Sequence, residues 1–130
     1  MPLGQFDERI AFQFVARFTD ATVPNTYDTF LSEAGATLRL DTMRIANSDN
    51  IPHNILFDLN DTNGDNVSLS ALVPARAAYD GAPPYDVLAA LMSTNQQFLL
   101  SVPGNTYQWA VGEFLNTGQQ VVMFGQGGIF

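Results

Sequence analysis

The residues that could carry chemistry in this chain are one histidine, a crowded hairpin tip, a few carboxylate pairs and a scatter of aromatics. His53 is the sole histidine, so one chain cannot supply a two-histidine metal site. A nucleophilic triad would need His53 beside a serine and an acid. It instead follows Pro52 at the start of an alternating segment, and no G-x-S-x-G turn occurs anywhere. The expectation is a structural or surface histidine.

The hairpin tip brings Asp58, Asn60, Asp61, Asn63, Asp65 and Asn66 together, oxygen ligands at a spacing that calcium accepts. The EF-hand pattern fails: with Gly64 as the sixth loop position, Leu59 stands in the first and no glutamate closes the loop. The same residue types are what a tight exposed turn selects for backbone reasons. A turn is therefore expected, with calcium at Asp58–Asn66 as the alternative and no cofactor anticipated.

Carboxylate pairs could serve as the acid and base of a glycosidase. Asp58 and Asp65 approach across the hairpin, while Asp7–Glu8 and Asp80/Asp86 fall in a terminus and a loop, and nothing places any pair in a deep cleft. Gly125-Gln-Gly-Gly128 ends the chain without a following helix, which excludes a strand–loop–helix phosphate cradle. Tyr79, Tyr85, Tyr107 and Trp109 could form a sugar-stacking platform, but Tyr107 and Trp109 on a strand read first as core or interface residues. No enzyme is expected.

The elements that position these residues follow a period of two. Ile55, Phe57 and Leu59 alternate with Leu56, Asp58 and Asn60, and Val67, Leu69, Ala71 and Val73 alternate with Ser68, Ser70 and Leu72. Asn63-Gly64 between them takes the positive φ angles of a hairpin turn, so this stretch is the centre of the fold. Upstream, Ile10, Phe12, Phe14, Ala16 and Phe18 share one face of a strand over 9–18. Leu38 and Leu40 point inward on even positions and Met43 and Ile45 on odd ones, which places a bulge or turn near Asp41-Thr42. Thr26 to Leu31 is a short strand or a helical turn.

Downstream, Tyr85 to Met92 is the one segment with a helical stripe, Val87/Leu88/Leu91/Met92, with Pro83 and Pro84 before or in its first turn. Strands follow at 97–102, 106–112 (Tyr107, Trp109 and Val111 on one face) and 119–124. About eight strands with turn residues between them argue for an all-β, antiparallel, jelly-roll-like sandwich with one short helix. One domain is expected over 9–125, between an N-terminal arm (1–8) and a C-terminal tail (126–130).

The chain has 130 residues, thirteen carboxylates, five arginines and no lysine, a formal charge of −8. Such a chain is repelled by phosphates and by anionic membranes, so neither nucleic acid nor a membrane is an expected partner. Charged residues make up 14% of the sequence, against roughly 25% in average domains. That suits either a surface covered by neighbours or a plain acidic β domain. The first eight residues show neither a basic nor an apolar signal region, and no apolar run nears the ~20 residues of a membrane span. A product of the cytoplasm, soluble unless assembled, is the expectation.

From Leu40 onward the layout resembles small β-sandwich capsid decoration (cement) proteins of tailed bacteriophages. The likeness lies in Arg44-Ile-Ala-Asn47, His53 with its hairpin, Val73-Pro-Ala75, Pro84-Tyr-Asp-Val-Leu88, Leu99-Leu-Ser-Val-Pro-Gly104, Trp109-Ala-Val111 and Val121-Val-Met-Phe-Gly125. The resemblance implies a structural virion subunit on the capsid surface, made in the host cytoplasm, often a homotrimer, whose partner is the major capsid protein. Candidate interface residues are Leu3, Phe6, Tyr79, Tyr85, Ile129 and Phe130. The competing reading is a carbohydrate- or receptor-binding sandwich, lectin-like or tail-associated, using Tyr79, Tyr85 and the Asp58–Asn66 loop.

Overall fold

Alternation in the sequence becomes alternation in burial. Along β4 (His53–Asn60), His53, Ile55, Phe57 and Leu59 are buried, and the residues between them are half-buried on the outer side. The computed structural model describes residues 10–32, 38–60, 66–94, 100–101 and 106–129. It places β4 in unbroken antiparallel register with β5 (Asn66–Val73), from His53↔Val73 to Asn60↔Asn66. The hairpin is thus present as expected.

The remaining strands are β1 (Ile10–Thr19), β2 (Asp28–Ser32), β3 (Leu38–Asn47), β6 (Tyr85–Asp86), β7 (Leu100–Ser101), β8 (Thr106–Val111) and β9 (Gln120–Ile129). One helix, α1 (Val87–Thr94), is described. The first sheet runs β1-β9-β3-β6, with β7 also paired to β3; the second runs β2-β8-β4-β5. All pairings are antiparallel. The chain changes sheet at nearly every connection and pairs sequence-distant strands side by side, which is the double Greek-key order of a jelly roll.

Trp109, Tyr107, Phe57 and Ile55 from the second sheet meet Phe18, Leu40, Met43, Ile45 and Met123 from the first. Trp109 stacks on Phe18 at 3.9 Å between ring centroids, a contact that joins the two layers. Helix α1 packs against β3 and β5, and its Val87, Leu88 and Leu91 complete the core beside the two-residue β6.

The phase slip in β3 is a bulge. Its register with β9 shifts between Leu40 and Thr42, so Asp41 adds one residue and Met43 and Ile45 return to the core face. Two expectations are corrected. Tyr85 and Asp86 form a strand against Ile45 and Arg44, and the helix begins only at Val87, with the Asp86 carboxylate accepting the Ala89 N–H as a cap. Residues 126–129 are not a tail: they extend β9, bonded on one side to β1 and on the other to β3. The glycines there permit close packing, because Phe12 and Phe14 lie opposite Gly127 and Gly125 and cover them. The expected arm and the candidate residues Leu3, Phe6 and Phe130 lie outside the described residues.

A Cβ on Gly127 would collide with the Arg39 carbonyl oxygen and fall 2.9 Å from Phe12. The first obstacle is backbone that a rotamer change cannot move aside. Gly127→Ala is expected to cost about 1–3 kcal/mol, read as a lower denaturant midpoint with an unchanged slope.

Candidate functional site

At one end of the sandwich the 48–52, 74–84 and 112–119 connections converge on a buried carboxylate, Asp49, which is 1% exposed. Its Oδ2 lies 2.8 Å from Nε2 of the fully buried His53 and accepts the Asn116 N–H at 3.0 Å. Its Oδ1 accepts from Asn116 Nδ2 and from the Asn50 N–H, both at 2.8 Å. On the other side of the ring, His53 Nδ1 lies 2.8 Å from Glu113 Oε1, which also accepts the Asn54 N–H. Both ring nitrogens face carboxylate oxygens, an arrangement satisfied when both carry protons and donate.

Neighbouring groups hold this clasp in place. Asn47 accepts the Asp49 N–H and donates to the carbonyls of Ile51 and Pro74. Arg76 donates its backbone N–H to the Asp49 carbonyl and Nη1 to the Ser48 carbonyl, and it pairs with Asp80 at 2.8 Å. That pairing pushes the Arg76 guanidinium up and the Asp80 carboxyl down from their ordinary values. Burial alone raises Asp49, but the hydrogen bonds from Asn116, His53 and Asn50 outweigh it and hold the carboxyl at about 2.

The chemistry open to this cluster is narrow. Both nitrogens of His53 are engaged, so neither is free to take a proton from a hydroxyl. Asp49 and Glu113 sit on opposite sides of the ring, so the three groups do not converge on one point as metal ligands do. Among the described residues no group of three or more His, Asp or Glu is arranged to hold a metal. His53 is a structural histidine that closes one end of the fold.

The aromatic platform does not form. Tyr107 and Trp109 are core residues with at most 1% exposure. Tyr85 is half-buried in β6 and packs on the core, while Tyr79 lies under the Arg76 guanidinium at 5.0 Å. Both tyrosines belong to the His53 end of the β4–β5 hairpin, whereas Asn60 and Asn66 mark its other end. Seven strand steps, roughly 23 Å, separate the two ends, so the groups proposed to share a glycan are not brought together. Residues 61–65 of the proposed calcium turn lie outside the described residues; of its flanks, Asp58 accepts from Ser68 Oγ at 2.5 Å and Asn60 donates to Gln108. Ile129 sits in β9 and packs against the core.

A patch with exposed apolar residues, absent from the sequence-derived candidates, lies on the outside of the first sheet. Cross-strand register aligns Val15, Phe124, Arg44 and Asp86 in one row, with Arg17, Val122 and Ala46 beside it and Gln13, Gln126 and Thr42 on the other flank. Val15 is 70% exposed and Phe124 36%. Two shallow depressions of ≈ 500 and ≈ 310 Å³ share Gln13 and Gln126 as part of their lining. Arg17, Arg39 and Arg44, three of the five arginines in the chain, lie on this face. The signal for it was present in Val15 and Phe124, apolar residues on the polar phase of their strands, but aligning them required knowing that β1, β9 and β3 are neighbours.

No family model, curated protein or solved structure matches the chain.

Proposed function

We propose that this protein is a structural subunit of a tailed-bacteriophage capsid surface, holding the shell through contacts to the major capsid protein. The observation that carries the reading is the outer face of the first sheet. There an exposed valine and phenylalanine stand side by side, bordered by arginines, in a chain that has no lysine. Aromatic residues and arginine are enriched at the centre of protein-binding surfaces, and here the carboxylates Asp86 and Asp41 stand at the border of the patch. The jelly-roll order gives a stiff body on which such a face can be held flat, although the fold itself serves many functions. Contacts that are weak singly then sum over a repeating lattice.

The test is to titrate the purified protein onto capsids of its own phage that lack it. Saturation at a fixed ratio per capsomer is the expected result. Phe124→Asp and Val15→Asp should each weaken binding by about tenfold or more, while Trp109 fluorescence stays that of the folded protein. Absence of binding, or variants that bind like the parent, would overturn the reading.

A further inference from the structure

A sheet edge selects its partner by chemistry, because its unpaired N–H and C=O groups repeat with the spacing of another strand. The sandwich has several such edges, and most are blunted. Strand β2 is five residues long, starts with Asp28 and has a register shift between Thr29 and Leu31. Strands β6 and β7 are two residues each. Strand β1 carries Arg17.

Among the described residues, strand β5 carries none of these devices, although α1 packs against it. Its eight residues, Asn-Val-Ser-Leu-Ser-Ala-Leu-Val, include no charge, no proline and no glycine, and they pair with β4 without a bulge. Its core-facing residues are unequally covered. Ala71 and Val73, at the end nearer α1 in the chain, are buried, while Val67 and Leu69 remain half-buried and Leu72 on the outer side is 61% exposed.

We propose that β5 is a self-association edge, where a second copy of this chain adds its own β5 antiparallel about a two-fold axis. The strand is complementary to a second copy of itself. An axis through Leu69 pairs Leu69 with itself and Val67 with Ala71 on the core side, and Ser68 with Ser70 on the outer side. Inward residues then meet inward residues, as a continuous sheet requires, and no charge meets a like charge across the axis. The two second sheets become one eight-stranded sheet, and the half-buried Val67 and Leu69 are covered. The unit so formed is a pair, where the resemblance implied a trimer, and it is independent of the capsid reading because it forms in solution from the protein alone.

Light scattering coupled to size-exclusion chromatography on the full chain is the test. The expected mass is twice 14.2 kDa, falling to one chain on dilution. Ser68→Lys/Ser70→Lys, which sets lysines opposite lysines across the axis, should raise the dissociation constant at least about tenfold with Trp109 fluorescence unchanged, and Ser68→Thr/Ser70→Thr should keep the pair. Hydrogen exchange on the unmutated protein gives an independent readout: β5 amides should become more protected as concentration rises. A monomer at millimolar concentration, a trimer, a pair indifferent to the lysines, or β5 amides whose protection ignores concentration would each overturn the proposal.

Discussion

Replacing His53 with alanine is expected to remove about 3–5 kcal/mol of stability, because it leaves a gap in a buried site and takes a hydrogen-bond partner from the buried Asp49 carboxylate. Asp49 keeps its neutral donors from Asn116 and Asn50 but loses the ring that faces its Oδ2 at 2.8 Å. Glu113, whose side chain is 45% exposed, can turn to water instead. The cost therefore falls on Asp49. For a domain whose whole stability is of order 5–15 kcal/mol, this should lower the melting temperature by roughly 10–20 °C. A double-mutant cycle with Asp49→Asn isolates the pair, and additive single effects would mean that the two residues are not coupled.

The same cluster sets an acid limit. Asp49 stays ionised in the folded protein down to about 2, whereas in the unfolded chain it takes up a proton near its ordinary 3.8. Its contribution is therefore complete above about pH 4, and the unfolded state gains the advantage as the pH drops toward 2. Urea titrations across that window should show stability falling with pH in the parent, with a shallower fall in Asp49→Asn.

Trp109→Ala is the second large effect, about 3–5 kcal/mol. The indole is 1% exposed, lies face to face with Phe18 of the opposite sheet at 3.9 Å, and meets Phe30 edge-on at 6.3 Å. Truncation opens a cavity between two sheets whose backbones cannot close on it, since each is fixed by its own ladder. Guanidinium unfolding followed by far-UV dichroism measures the loss; a cost below about 1 kcal/mol would mean that the layers repack around the gap.

The alternating segments made much of this fold legible in the sequence. In β1, β4, β5 and β8 one face turns to the core, so side-chain phase alone assigns inside and outside, and the slip between Leu40 and Met43 placed a bulge or turn near Asp41-Thr42. Strand order was not legible, because β9 pairs with β1 and β3 across more than seventy residues and no local pattern encodes that choice. Residues 126–129 read as a tail because their glycines have no side chain to show a phase; they are held as strand by the ladders to β1 and β3, with Phe12 lying over Gly127. The cluster around His53 was hidden for a related reason. Asp49 sits in Asn47-Ser-Asp-Asn50, which looks like any solvated turn, and Glu113 and Asn116 lie some sixty residues away from His53 and Asp49.

That distance bears on how the protein reaches its native state. The bonds that tie Glu113 to His53, Asn116 to Asp49, and the Gly118 N–H to Asp20 span 60, 67 and 98 residues. Closing such long segments costs chain entropy before any of these bonds forms. The end clasp is therefore expected to form after the β4–β5 hairpin, whose strands pair across at most 20 residues.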